Sequence, residues 1–213
     1  MSNDEFEGES RAGRSGGGVG PLARSRGTAA EEDRRAASVR KILFVELLGG
    51  LGDVLISLQA IQALARSYPK ARLTVLTFPP GGELLEGDPS VHEVVQAPKP
   101  DPARPHRARE AVEELLARDG WDLVVSDTSY DGIDALIRDC DAPHTVTNLW
   151  RSPPPDERVG ERFLRLLLAD GQIRPSAISS PRLYLTPEER SLAVERLAGL
   201  RRPLAFLLPD AGM

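Results

Sequence analysis

Residues 41–69 read KILFVELLGGLGDVLISLQAIQALARSYP. The first five residues are apolar and β-branched enough for a short buried strand. Leu48, Gly49, Gly50, Leu51 and Gly52 then make a glycine-rich turn. From Asp53 onward the apolar residues fall at Val54, Leu55, Leu58, Ile61, Leu64 and Ala65, with Ser57, Gln59, Gln62 and Arg66 between them. That spacing predicts an amphipathic helix. Strand, glycine turn and helix are the opening of a βαβ unit, so the fold expected is α/β, a Rossmann-like parallel sheet with helices on both faces. Ligands of such sheets meet the carboxyl ends of the strands. A dinucleotide fingerprint is not completed. Gly50 and Gly52 supply the first two glycines of G-x-G-x-x-G, but position 55 is Leu, and the next strand ends in Thr77-Phe78-Pro79-Pro80 with no acid for a ribose. No cofactor is expected.

The pattern continues in both directions. Residues 71–78 read as a second strand, 92–96 as a third and 121–126 as a fourth, with 144–149 as a fifth. Helices are expected over 108–117, 131–138, 159–170 and 187–198, the last begun by Thr186 as N-cap, Pro187 at the first position and Glu188 and Glu189 in the first turn. Residues 175–181 read as a linker and 183–185 as a short extended piece. Residues 1–39, with Gly16-Gly17-Gly18 and few large apolar side chains, have the composition of a disordered tail. At the other end, 203–208 (PLAFLL) read as one more buried strand. The organisation expected is a tail at 1–39, a Rossmann-like domain at 40–200, and the first strand of a truncated second domain at 201–213.

Composition narrows the function. The chain has 213 residues and a net charge of −5, which implies no basic face and no nucleic-acid partner. Its one cysteine, Cys140, rules out an internal disulfide and reads as a small buried residue. His92, His106 and His144 lack metal-ligand spacing, so no metal site is expected. No apolar run is long enough to cross a bilayer, and the acidic N-terminus is unlike a signal peptide. A cytoplasmic setting follows, with peripheral attachment to the inner membrane face left open.

Leu48-Gly49-Gly50-Leu51-Gly52-Asp53-Val54-Leu55, with the helix ending in Arg66-Ser67-Tyr68-Pro69, resembles the N-terminal signature of glycosyltransferase family 9, the ADP-heptose:lipopolysaccharide heptosyltransferases. Residues 71–78, Glu83-Leu84-Leu85, Pro89-Ser90-Val91 and 121–127 also fit that family, and Leu208-Pro209-Asp210-Ala211-Gly212 is similar to its H-P-G-A-G loop. The resemblance implies the N-terminal, acceptor-side half of a GT-B enzyme. Such an enzyme moves a heptose-like sugar from an NDP-sugar, ADP-linked in the family, to a glycan or lipid-linked cell-envelope acceptor, with inversion and without a metal. The donor half is then a further domain or a separate partner chain, and this chain alone is inactive.

The resemblance assigns Asp53 as the general base on the acceptor hydroxyl. From pattern alone Asp53 reads first as a first-turn acid complementing the helix dipole, and the resemblance is what turns the reading to a base. Gly49, Gly50 and Gly52 line the acceptor cleft in one reading and merely make a tight turn in the other. Asp127 and Ser129, at the carboxyl end of the fourth strand, are acceptor-binding candidates or an Asx-turn. Ala211 and Gly212 match the donor phosphate loop. One departure bears on the substrate: many family members carry Arg or Lys six residues before the Asp, where this chain has Leu47 with Glu46 beside it. That points away from the standard lipopolysaccharide-core acceptor. The alternative to an enzyme is a non-catalytic module that binds a glycan or assembles with a partner.

Overall fold

The computed structural model describes residues 29–118, 120–151 and 156–200. Five strands, β1 (Lys41–Val45), β2 (Arg72–Thr77), β3 (Glu93–Gln96), β4 (Leu123–Ser126) and β5 (His144–Val146), form one parallel sheet in the order β3-β2-β1-β4-β5. Parallel pairing with both faces covered explains why β1 and β4, Lys41 and Ser126 apart, are apolar instead of alternating.

Alternate residues of each strand feed two cores. Ile42 and Phe44 of β1, with Leu73, Val75, Leu123 and Val125, pack against α2 (Leu51–Ser67) and α5 (Val159–Ala169). Leu43 and Val45, with Leu76 and Val124, pack against α3 (Arg107–Arg118) and α4 (Ile133–Arg138). The helix periodicity of 41–69 is therefore legible because one face of α2 meets both the sheet and α5. Gly160 lies against the backbone of Ile56 and lets the two helices approach. Leu55, expected on the buried stripe, is exposed on the first turns of α2 together with Leu51 and Ile56.

Several boundaries differ from the sequence expectation: β4 starts at Leu123 instead of 121, and α4 at Ile133 instead of 131, after a 3-10 turn at Tyr130–Gly132. Residues 29–38, expected within the disordered tail, form a helix, α1 (Ala29–Ser38). It is docked by Arg35, whose Nη1 donates to Gly171 O at 2.7 Å, and Val39 after it is buried. The chain is then handed to the sheet by Asp122, whose Oδ2 accepts from the N–H groups of Arg40 and Lys41 at 2.7 and 2.9 Å. The fifth strand ends at Val146 instead of 149, since Asn148 turns to a positive φ of 53°. The extended piece at 183–185 lies in a strap that runs from a 3-10 turn at Pro175–Ala177 over the outside of α2 to α6 (Pro187–Leu197). The cap expected for α6 is present, with Glu189 N donating to Thr186 Oγ1 at 3.2 Å and Thr186 N donating back to Glu189 Oε2 at 2.8 Å. The expected strand at 203–208 lies outside the described residues.

Candidate active site

The chain leaves β1 toward β2 on one side and, after β3, crosses back to β4 on the other, so β1 and β4 are neighbours with connections running in opposite directions. This is the topological switch point, where the loops after the two strands separate and leave a crevice. The loop after β1 carries residues 46–50 and leads into Asp53. The loop after β4 carries Asp127, Thr128 and Ser129.

Asp53 is in the first turn of α2, half-buried, and its Oδ2 accepts the N–H of the N-cap residue Gly50 at 3.2 Å. The three glycines divide by what surrounds them. A Cβ at Gly49 would overlap Asp53 Oδ2, so glycine there is required by the placement of that carboxyl group. A Cβ at Gly50 or Gly52 would meet nothing within 4 Å. Gly49, Gly50 and Gly52 do not take positive φ, so backbone strain does not demand glycine. What the glycines at 50 and 52 provide is open space beside Asp53.

Asp127 is not an open cleft residue. It is buried, with Oδ1 accepting from Leu47 N at 3.4 Å and Oδ2 from Ser57 Oγ at 3.3 Å. The candidate acceptor contact through its carboxyl group is thus already taken up inside the protein. Ser129 is exposed and caps no helix with its side chain. Ser129 therefore shares the strand edge with Asp53 and Asp127, but no hydrogen bond among the described residues joins it to either. Ala211 and Gly212 lie outside the described residues.

Glu46 is a site residue that sequence reasoning does not single out. It follows β1 directly, is fully buried, and accepts from the Thr77 hydroxyl and, at 3.2 Å through Oε1, from Leu48 N. Three carboxyl groups therefore each hold one N–H of the glycine loop: Asp127 holds Leu47, Glu46 holds Leu48, and Asp53 holds Gly50. These are N–H groups that a phosphate-cradling loop would offer to its ligand. Here carboxyl oxygens use them, so these three N–H groups are not offered to an anion. The signal in the sequence is an acid placed at the end of an otherwise apolar strand, where burial without a partner is costly.

Burial pushes the Asp127 carboxyl well above the usual carboxylate range, and the nearby Glu46 and Asp53 charges add to it. Burial likewise raises Glu46, with a smaller upward push from Asp53, against the hydrogen bonds from Thr77 and Leu48, which lower it. Like charges placed together in a poorly hydrated crevice resist joint ionisation, so the pair shares protons over a range where isolated carboxyls have lost them. Tyr130, half-exposed just beyond Ser129, has its phenol raised by burial first and then by Asp127, Asp131 and Glu46. Asp131 secures this edge to α3: its Oδ1 lies 2.7 Å from His106 Nδ1, and its carbonyl accepts from Arg109 Nη1 at 3.0 Å. Among the described residues no group of three or more His, Cys, Asp or Glu side chains is arranged to hold a metal ion. No described helix is long and apolar enough to cross a membrane.

No protein-family model matches the chain, and no curated protein matches it. Solved structures do. A glycosyl transferase family 9 protein from Veillonella parvula superposes with a TM-score of 0.62 at 18% identity, over 76% of this chain and 51% of that one. The E. coli ADP-heptose lipopolysaccharide heptosyltransferase II superposes with a TM-score of 0.52 at 17% identity, again over 76% of this chain and 51% of the other. The chain thus spans about half the length of the solved structures it matches. At these identities the likeness is one of fold: this chain has the Rossmann-like α/β fold found in glycosyltransferase structures that include family 9 members.

Proposed function

We propose that the chain forms the acceptor side of a GT-B glycosyltransferase and that Asp53 is its general base. The observation that carries this reading is a half-buried carboxyl group at the switch point, fixed on one side by Gly50 N–H and flanked by open space at Gly50 and Gly52. An acceptor hydroxyl placed there would give its proton to Asp53 as its oxygen bonds to the donor's anomeric carbon. The bond from that carbon to the phosphate oxygen breaks on the opposite face, and the nucleoside diphosphate leaves with the electron pair. The outcome is inversion. No metal enters the scheme. The diphosphate is stabilised by a second domain, outside the half matched here, in the same or a separate chain. The family 9 neighbours support a nucleotide-linked, heptose-like donor and a cell-envelope glycan or lipid-linked acceptor, in a cytoplasmic setting. The loop amides occupied by Glu46 and Asp127 favour an acceptor whose reacting end is uncharged.

The test is Asp53→Asn, made in the chain together with its donor domain. Release of nucleoside diphosphate from a panel of NDP-sugars should fall by ~10²–10⁴-fold, the usual share of a general base, with the circular dichroism spectrum unchanged. Wild-type turnover in that variant would overturn the reading. One observation favours a second reading, that of a non-catalytic glycan-binding or assembly module: the bond from Gly50 N to Asp53 is also what a purely structural helix cap makes. A module of that kind binds glycan equally in the wild type and in the Asp53→Asn variant and has no transfer to lose.

A further inference from the structure

At the far end of α2 from the crevice is a groove of about 420 Å³ lined by Arg66, Ser179, Ser180, Arg182 and Tyr184. Asp53 is in the first turn of α2 and Arg66 in its last, so ~20 Å of helix separates the two places. The volume is that of a small-ligand site.

The groove is built from a pinned strap. Arg66 Nε donates to Ala177 O at 2.6 Å, and Gln59 Nε2 donates to Ser179 O at 2.9 Å. Gln62, buried inside α2, clasps Arg182 from both sides: its Nε2 donates to Arg182 O at 2.7 Å and its Oε1 accepts from Arg182 N at 3.1 Å. The same Nε2 reaches the buried Asp88 at 2.7 Å, which anchors the clasp to the body of the domain. The backbone carrying Ser179, Ser180 and Arg182 is therefore held in place before any ligand arrives.

The chemistry of the lining is one-sided. It presents two guanidinium groups and three hydroxyls and contains no carboxylate, in a chain of net charge −5. Among the described residues no acid pairs with Arg66 or Arg182. The bond at Arg66 Nε fixes the plane of that guanidinium and leaves its terminal nitrogens as a donor fork. Guanidinium forks with hydroxyls beside them match the several acceptor oxygens of a phosphate.

We propose that this groove is a phosphate-binding site in which Arg66 and Arg182 take the charge and Ser179 and Ser180 complete the hydrogen bonding. The phosphate is that of a soluble phosphate ester or of a phospholipid headgroup. Leu183 and Leu185, 54% and 53% exposed beside Arg182, suit the latter.

The test titrates the whole chain with inorganic phosphate and with pyrophosphate by calorimetry. In parallel, the chain is sedimented with phosphatidylcholine vesicles with and without phosphatidic acid. Saturable binding of either soluble probe, weakened at least about tenfold in Arg182→Gln, identifies a soluble phosphate. Sedimentation only with phosphatidic acid, lost in Arg182→Gln, identifies a headgroup. Arg182 is the informative position because, among the described residues, only its backbone holds the strap, whereas the Arg66 side chain does so too; Arg182→Lys should retain part of the binding. Asp53→Asn should leave it unchanged, so this result stands apart from the glycosyltransferase reading. Absence of binding to all four preparations, or binding that survives both Arg182→Gln and Arg66→Gln, overturns the proposal.

Discussion

Gly49→Ala should separate catalysis from stability. The new Cβ would overlap Asp53 Oδ2, while its contact with Asp53 Cγ, at 3.4 Å, is ordinary. The backbone at Gly49 is not in the left-handed region, so alanine itself is unstrained. The clash is with the far end of one side chain, which can turn away. Turning costs its bond to Gly50 N, worth ~1 kcal/mol as a cap. Replacing glycine by alanine returns ~0.4–1 kcal/mol by restricting the unfolded chain. The two nearly cancel, so the melting temperature should move by less than about 4 °C. Catalysis has no such offset. Asp53 Oδ2 must retreat by about 1 Å, and a displacement of that size costs a reaction ~100-fold. Gly50→Ala and Gly52→Ala, whose Cβ atoms meet nothing in the protein, serve as controls for the melt alone, since the space they fill is the one proposed for the acceptor. The assay is nucleoside diphosphate release by the chain with its donor domain, beside a thermal melt of each variant. Wild-type turnover in Gly49→Ala would refute the argument that Gly49 exists to place Asp53.

Two further outcomes are expected. Asp127 and Glu46 are held above the ordinary carboxylate range in the folded protein, so the stability they allow is full below that range and is lost as pH rises through their raised values. Asp127→Asn, which keeps an acceptor for Leu47 N, should therefore gain on wild type between about pH 4 and about pH 8; urea midpoints at the two pH values measure it, and a difference independent of pH would count against the buried pair. Gln62→Met keeps the volume but leaves Asp88 Oδ2 and the Arg182 backbone without their partner. It should cost about 2–3 kcal/mol by urea denaturation, whereas a loss below about 0.5 kcal/mol, that of an ordinary surface change, would show the strap to be loosely held.

The sheet could be read from residues 41–69 because local pattern and tertiary role agree there. An apolar strand followed by glycines and an amphipathic helix has few places to go except a βαβ unit, and each later strand repeats the logic. The same spacing puts Asp53 in the first helical turn, where pattern alone reads it as an acid complementing the helix dipole; its role as a base came from the family resemblance. Glu46 and Asp127 were different. Glu46 stands at the end of one strand and Asp127 just past the end of another, and only the order β2-β1-β4 brings Thr77, Glu46 and Asp127 together around one loop. Whether an acid at a strand end faces solvent or is buried depends on what packs beside it, and that is set by residues far away in sequence. The docking of α1 and the strap over α2 follow the same rule. Each rests on long-range hydrogen bonds that leave no period in the sequence, Arg35 to Gly171 for α1, and Arg66 to Ala177, Gln59 to Ser179 and Gln62 to Arg182 for the strap. The sequence thus determined the fold and the place of Asp53 in the first turn of α2. Tertiary structure alone decided which polar groups are buried together, because a hydrogen bond between distant residues is specified by geometry and not by pattern.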